Sequence, residues 1–260
     1  MKPCSVTCLG VGDGWPCADR NHASFLYRLG KTSFLIDCGE SVDRSVKASG
    51  LSYDSIDGIF LSHLHSDHIG GLFMLMQGFW LEHRTRDLPL HLPANGIKPL
   101  REMFNAALLF DELLQFRRKF IALKQAKPVT LNNVRITPFP TSHLDGLRAR
   151  FERSHPGAFS AFCFLIEAGK LRVGHSADLG EPEDLEPLLT KPLDLLVCEM
   201  SHFAPEKIFT YLHGRKIRKV VFVHLGTSQW ENLPKVRRLA ARMLPDIPHS
   251  FARDGQAFEF

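Results

Sequence analysis

The sequence feature that most constrains this chain is a short cluster of three histidines and one aspartate. Its letters are His63-Leu64-His65-Ser66-Asp67-His68. The apolar residues 58–62 before it predict a short buried strand, and the segment that begins at Ile69 predicts a helix. Four potential metal ligands on one strand-to-helix turn are hard to explain by packing. Imidazole nitrogens and a carboxylate suit Zn²⁺, and also Mn²⁺ or Fe²⁺, so the turn predicts a metal site.

The spacing within the turn indicates two ions. His63 and His65 alternate along the chain and are expected to point at one ion, while Asp67 and His68 are expected to point at a second ion close by. Two neighbouring cations activate water and neutralise the oxygens of a displacement reaction. The turn is therefore typical of a hydrolase.

The motif resembles the His-x-His-x-Asp-His signature of the metallo-β-lactamase superfamily, and further segments resemble its ribonuclease Z branch. They are residues 6–14, residues 34–40, Thr141-Ser142-His143, Ser176-Ala177-Asp178 and Phe222-Val223-His224-Leu225. Together with the turn they come in the family's order, at the ends of apolar runs. The resemblance implies an α/β fold, an αββα sandwich of two β-sheets flanked by helices, in one domain over residues 1–260.

The resemblance also implies a full ligand set for two divalent metal ions, zinc first, with manganese or iron as alternatives. One ion would be held by His63, His65 and His143. The other would be held by Asp67, His68 and His224, and Asp178 would bridge the two. A hydroxide that bridges two such ions is a nucleophile near neutral pH, and Asp67 is counted among the catalytic residues for this reason.

A glutamate and a histidine follow the apolar residues 193–197. Ribonuclease Z-like enzymes and the cyclic-phosphate phosphodiesterases of phosphonate metabolism carry a histidine near this point. The resemblance therefore implies that His202 assists the leaving group, as a proton donor or as an imidazolium. Glu199 is expected to orient His202 or to raise its pKa. The alternative is an exposed histidine near the start of a helix.

Three residues are candidates for substrate binding. Arg148 and Arg150 lie in residues 144–159, which follow His143, and their guanidinium groups could fork onto a phosphate. A solvated basic face is an equal alternative for both. Phe203 follows His202 and is assigned to stacking on a base or an aryl group, with packing in the core or at its rim as the alternative.

These assignments predict a metal-dependent hydrolase, with a small or flexible phosphodiester as the preferred substrate. His143 and Asp178 are 35 positions apart, which leaves no room for the long basic arm with which ribonuclease Z enzymes grip tRNA, so folded tRNA is not expected. Three alternatives stay open. They are a lactonase, β-lactamase or thiolesterase, a ribonuclease Z-like enzyme that processes RNA without the arm, and a binding module without catalysis.

Composition adds limits. The 32 Lys and Arg against 28 Asp and Glu give a net charge of +4, which suits an anionic substrate without requiring nucleic acid. The apolar runs are too short to cross a membrane, and the first residues do not resemble a secretory signal. The six cysteines contain no Cys-x-x-Cys and indicate reduced thiols. We expect a cytoplasmic protein without a membrane partner and, by resemblance, a homodimer.

Apolar periodicity predicts the elements. Strands are expected at residues 5–9, 24–29, 32–37, 58–62 and 88–92 in the first half, and at 134–138, 161–167, 171–174, 193–199 and 219–224 in the second. Besides the helix after the turn, helices are expected at residues 97 to about 127, 183–190, 205–212 and 233–243. Two β-rich halves with outer helices agree with the expected sandwich.

Overall fold

A computed structural model describes residues 4–260, and the chain divides into two compact units. Unit 1 comprises residues 1–124 and 253–259, and unit 2 comprises residues 125–252 and 260. Each unit contains one mixed seven-stranded sheet with helices, which confirms the predicted α/β class. The single domain over residues 1–260 stays a prediction, and its first three residues lie outside the described part.

The sheet of unit 1 is antiparallel on one side and parallel on the other. Its strands are β1 (Ser5–Gly10), β2 (Ser24–Leu29), β3 (Thr32–Cys38), β4 (Gly58–Phe60), β5 (Leu88–Leu92), β6 (Arg118–Ala122) and β14 (Gln256–Glu259). The order is β14-β1-β2-β3-β4-β5-β6. The pairs from β14 to β3 are antiparallel and those from β3 to β6 are parallel.

The sheet of unit 2 is divided in the same way. Its strands are β7 (Val129–Leu131), β8 (Val134–Pro140), β9 (Phe162–Ala168), β10 (Leu171–His175), β11 (Leu195–Glu199), β12 (Val220–Val223) and β13 (His249–Phe251). The order is β13-β12-β11-β10-β9-β8-β7. The pairs from β13 to β10 are parallel and those from β10 to β7 are antiparallel.

Helices cover a face of each sheet and build one apolar core per unit. Unit 1 has α1 (Val42–Ala48), α2 (Ser66–Ile69), α3 (Leu72–Leu81) and α4 (Ile97–Ala106), and unit 2 has α5 (Asp145–Phe151), α6 (Pro205–Leu212), α7 (Thr227–Glu231) and α8 (Leu233–Met243). In unit 1, Leu35 of β3 packs in one cluster with Val46 of α1 and Phe79 of α3. In unit 2, Leu196 of β11 packs with Phe209 of α6 and Ala240 of α8. Among residues 4–260, no helix combines the length and the apolar character needed to span a bilayer.

The predicted helix from residue 97 to about 127 is wrong beyond Ala106. Leu108 takes a left-handed backbone conformation with φ 59° and is 65% exposed, so the apolar spacing no longer follows a buried face. A short 3₁₀ turn follows at Asp111–Leu113, and β6 completes the sheet. The buried Arg118 guanidinium fixes this turn, because it donates to the carbonyl oxygen of Leu109 and to Asp111 Oδ1.

Most other elements agree with the expectations. The ten predicted strands are present with ends within two residues of the predicted bounds, and α6 and α8 have the predicted bounds. The predicted helix at residues 183–190 is only a 3₁₀ turn at Pro182–Leu185 followed by turns. The short strands β7, β13 and β14 and the short helices α1, α5 and α7 are not predicted, since segments of three to seven residues carry little periodic signal.

The candidate site residues lie at or just after the carboxyl ends of strands. In unit 1, Asp37 is the penultimate residue of β3 and the His-rich turn follows β4, and these two strands are parallel neighbours. In unit 2, Asp178 follows β10, Glu199 ends β11, and His224 follows β12, three parallel neighbours. The carboxyl ends of parallel strands share one edge of a sheet, which is where such folds bind ligands.

Candidate metal centre

The His-rich turn of unit 1 brings its ligand atoms together in pairs. Ring nitrogens of His63 and His65 lie within 4.8 Å of one another, as do ligand atoms of Asp67 and His68. His68 Nε2 is 3.4 Å from Asp67 Oδ2. Two ligands of a tetrahedral ion with bonds of about 2.1 Å lie about 3.4 Å apart, so this spacing fits two ligands of one ion.

Asp37 and Ser62 orient the histidines of this turn. Asp37 Oδ1 accepts the Ser62 backbone N–H at 2.7 Å, and Asp37 Oδ2 lies 2.7 Å from His68 Nδ1. The Ser62 hydroxyl donates to Asp37 Oδ2 at 2.8 Å and lies 3.0 Å from His63 Nδ1. With Nδ1 of His63 and His68 held in this way, Nε2 is the nitrogen each presents to a metal.

The main site residues of unit 2 gather around the carboxylate of Asp178. His143 Nε2 lies 3.6 Å from Asp178 Oδ2, and His224 Nε2 lies 3.5 Å from Asp178 Oδ1. The Thr141 hydroxyl donates to the Asp178 carbonyl oxygen at 2.9 Å and fixes the backbone there. One carboxylate thus presents a different oxygen to each of two imidazoles, as a bridging ligand would.

A hydrogen-bond chain links His224 to His202 in unit 2. The Ser201 hydroxyl lies 2.9 Å from His224 Nδ1 and 3.4 Å from Glu199 Oε2. Glu199 Oε1 lies 2.8 Å from His202 Nδ1 and also accepts the Leu179 backbone N–H at 2.9 Å. A buried glutamate therefore serves both histidines, one directly and one through a serine.

His202 combines a fixed ring with access to solvent. Its side chain is 31% exposed, whereas that of Glu199 is 1% exposed. His202 Nε2 lies 3.8 Å from Asp178 Oδ2, so the ring edge faces the carboxylate that His143 and His224 also approach. This geometry suits a group that gives or takes a proton beside a metal.

The backbone is strained at three of these positions. Asp37, Ala177 and His224 take left-handed conformations with φ of 58°, 46° and 50°. Such conformations cost of order 1 kcal/mol each in residues other than glycine, and they persist where the surrounding structure over-determines them. The three residues lie at or just after the end of a strand, and the left-handed conformation turns the chain out of the regular pleat there.

Two buried cysteines, Cys38 and Cys198, adjoin these segments and belong to the apolar cores of the two units. Burial raises the pKa of the Cys38 thiol well above its usual range, with the Asp37 carboxylate as a second cause. Burial and the Glu199 carboxylate do the same for Cys198. Both thiols stay protonated and pack as small apolar groups.

The proposed substrate residues have other contacts in unit 2. Arg148 pairs with Asp145 Oδ1 at 2.7 Å within α5 and donates to the carbonyl oxygen of Phe159. The Arg150 guanidinium lies 5.1 Å from the centre of the Phe151 ring. Phe203 packs, partly buried, against the core of unit 2. Their contact with a phosphate or a base stays a prediction.

The sequence pattern assigns no role to Ser62 or Ser201, and Asp37 belongs to it only as one of residues 34–40, which resemble a segment of the ribonuclease Z branch. Both serines directly precede a candidate histidine, which is the signal available in the letters. The hydrogen bonds themselves depend on how each strand end turns, which the letters do not encode.

The chain is similar to known proteins in both sequence and fold. The chain is 30% identical over 139 residues to a ribonuclease Z from Archaeoglobus fulgidus, which is 54% of this chain and 44% of that relative. The chain thus spans less than half the length of the relative. Among solved structures it is similar to the metallo-β-lactamase fold protein YhfI from Bacillus subtilis, with a TM-score of 0.79, 21% identity and full coverage of both chains.

A second solved structure is a diphosphatase of the PhnP family, with a TM-score of 0.71 and 18% identity over 99% of this chain and 98% of that one. These likenesses confirm the predicted metallo-β-lactamase fold. A family model described as anti-Pycsar protein Apyc1 matches residues 4–213. With most of its length matched, the chain belongs to the anti-Pycsar protein Apyc1 family, within the ribonuclease Z-like and phosphodiesterase-like branch of the metallo-β-lactamase superfamily.

Proposed function

We propose that this protein is a metal-dependent hydrolase of small or flexible phosphodiesters. The observation that carries the proposal is the pair formed by Glu199 and His202, in which a buried carboxylate holds an exposed imidazole beside Asp178. Cleavage of a phosphodiester releases an alkoxide, which needs a proton or a nearby positive charge. An imidazole in this position supplies either one.

The donor chemistry of each unit supports divalent metal ions. Unit 1 offers His63, His65, Asp67 and His68, and unit 2 offers His143, Asp178 and His224, with Nδ1 of three of the five histidines held by serine or carboxylate partners. By resemblance to the superfamily, we propose that these seven residues together hold two ions, zinc first, with manganese or iron as alternatives. When bound, such ions supply an activated water and neutralise charge on the phosphoryl oxygens.

The chain's own groups have separate tasks in this proposal. Asp178 fixes the relative positions of the imidazoles of His143 and His224. Glu199 keeps the His202 proton on Nδ1, stabilises the imidazolium and aims Nε2 towards the Asp178 carboxylate. His202 gives its Nε2 proton to the leaving oxygen, and it regains a proton from solvent through its exposed edge.

The test is a substrate panel on protein loaded separately with Zn²⁺ and Mn²⁺. We expect metal-dependent hydrolysis of bis(p-nitrophenyl) phosphate and of cyclic phosphodiesters, lost on chelation and restored by the metal. Nitrocefin and a homoserine lactone are measured in parallel. Turnover of only the lactam or the lactone would assign carbonyl hydrolysis instead. Protein that binds less than one ion per chain and turns over nothing would favour a binding module.

A further inference from the structure

Unit 2 carries a concentration of positive charge at the edge of its sheet where β10, β11 and β12 begin. A cavity of about 650 Å³ lies there. Its cationic lining residues are Lys170, Arg172, Lys191, Lys216 and Arg218, and its one carboxylate is that of Asp194. None of these residues belongs to the candidate metal centre.

The parallel pairing of the three strands creates this cavity. Val173 pairs with Leu195, and Leu196 pairs with Val220, so the segments that precede the three strands meet at one edge. A bridge between Leu193 and Ile217 joins two of these segments, and both side chains are buried beneath the cavity. Each segment contributes at least one cation.

Most of this charge has no counter-charge among the described residues, 4–260. Arg172 pairs with Glu167, and Asp194 Oδ2 accepts the Arg172 backbone N–H at 2.9 Å. The side chains of the other four cations form no ion pair or hydrogen bond with any of residues 4–260, and all four residues are exposed; they are Lys170, Lys191, Lys216 and Arg218. Like charges around one cavity repel, and a bound anion relieves that repulsion.

The size of the cavity favours a small anion. A volume of about 650 Å³ lies within the usual range of small-molecule sites, about 300–1,000 Å³. The five cations line one cavity, whereas a nucleic-acid backbone is contacted at many phosphates along its length. Flexible lysines and one arginine suit the oxygens of clustered phosphates.

We propose that this cavity binds a compact polyphosphate anion, such as the triphosphate group of a nucleotide, at a site separate from the candidate metal centre. The cavity lies before the first residue of β11, whereas Glu199 is the last residue of that strand. The five steps from Asp194 to Glu199 separate them by about 16 Å of extended chain. The proposal does not depend on the hydrolytic reaction.

The experiment is calorimetric titration of the metal-loaded protein with inorganic triphosphate, at low and at high salt. The double substitution Lys191→Gln/Lys216→Gln removes two charges and leaves a polar side chain at each position. We expect it to weaken binding at least about tenfold, a factor that one lost charge-assisted hydrogen bond can supply. High salt should weaken binding to the wild-type protein.

The matched control is Lys235→Gln/Arg238→Gln on α8, which removes the same charge from another face of unit 2. We expect it to change the affinity less than threefold, and we expect triphosphate to slow hydrogen exchange at residues 168–172, 190–195 and 214–219. Equal loss in both double variants, or no saturable binding, would overturn the proposal. So would protection confined to residues 176–179 and 199–203, which would assign triphosphate to the metal centre. Tighter binding of a single-stranded oligoribonucleotide through the same lysines would assign the surface to nucleic acid.

Discussion

In both units a histidine contacts a serine hydroxyl, the serine contacts a carboxylate, and the carboxylate contacts a second histidine. In unit 1 the order is His63, Ser62, Asp37 and His68, and in unit 2 it is His224, Ser201, Glu199 and His202. The serine hydroxyl oxygen is 2.8 Å from the carboxylate in unit 1 and 3.4 Å from it in unit 2. The same chemistry therefore has a tight form and a looser one.

The two networks differ most at their final histidine. The side chain of His68 is 1% exposed, whereas that of His202 is 31% exposed. A buried imidazole between two fixed partners suits a metal ligand, since its orientation cannot change. An exposed imidazole on a buried carboxylate suits proton transfer, which needs both a fixed ring and contact with solvent. We propose that the exposure of the final histidine determines which of these two purposes each network serves.

The largest expected effect comes from His68→Ala. We expect the variant to lose metal and all measurable phosphodiester hydrolysis, because a ligand and the partner of Asp37 are removed together. Metal content by mass spectrometry, with hydrolysis of bis(p-nitrophenyl) phosphate, provides the measurement. Full metal content in the purified variant would show that the two networks do not differ in the way described.

The second prediction concerns His202→Ala. We expect kcat to fall about 10²- to 10⁴-fold, the usual contribution of a general acid, while metal content stays at the wild-type value. His213→Ala, which removes another exposed histidine of unit 2, is the matched control. If His202→Ala lost metal as His68→Ala is expected to, His202 would be a ligand and not a proton donor.

Substitution of the two serines tests whether each network affects metal binding. Ser62→Ala and Ser201→Ala are each expected to weaken metal affinity about 10- to 100-fold, because the imidazole that contacts the hydroxyl is no longer oriented. At saturating metal, the remaining loss of kcat should be larger for Ser201→Ala, since Glu199 also holds His202. Threonine at either position should restore affinity in part. Equal losses of kcat in the two variants would show that Ser201 does not affect the position of His202.

The smallest expected effect uses a buried histidine outside both networks. His91 stacks on Phe60 in unit 1 with ring centres 4.5 Å apart, and burial lowers its pKa to about 4. Because the unfolded chain takes up this proton near pH 6.5, the free energy of unfolding should fall as pH decreases from about 6.5 towards 4. The expected slope is about 1.4 kcal/mol per pH unit in that window.

His91→Phe should flatten this slope by about that amount relative to the wild-type protein. Denaturant unfolding at several pH values, with metal held constant, gives the difference directly. The ligand histidines contribute equally to both proteins and cancel in the difference. If the free energy of unfolding had the same pH dependence in both proteins, His91 would not be the source of the slope.

The sequence predicts the candidate metal-binding turn because the evidence for it is local: four potential ligand side chains follow one strand. It also predicted ten strands, since their apolar runs are short and bounded by turn residues. The helix beyond Ala106 could not be rejected from periodicity, because Leu108 and Phe110 continue the apolar spacing although they are exposed. The serine contacts depend on the left-handed conformations of Asp37 and His224, and the sequence does not predict such a conformation at a residue other than glycine.

The last residue of β11 places a limit on insertions and deletions in this region. Side chains alternate between the faces of a strand, so one inserted residue between Leu195 and Glu199 would turn the glutamate to the opposite face of the sheet and move it about 3.3 Å along the strand. The segment before β11 has no such constraint on the site. Length variation in relatives of this protein should therefore accumulate before the strand and be absent within it.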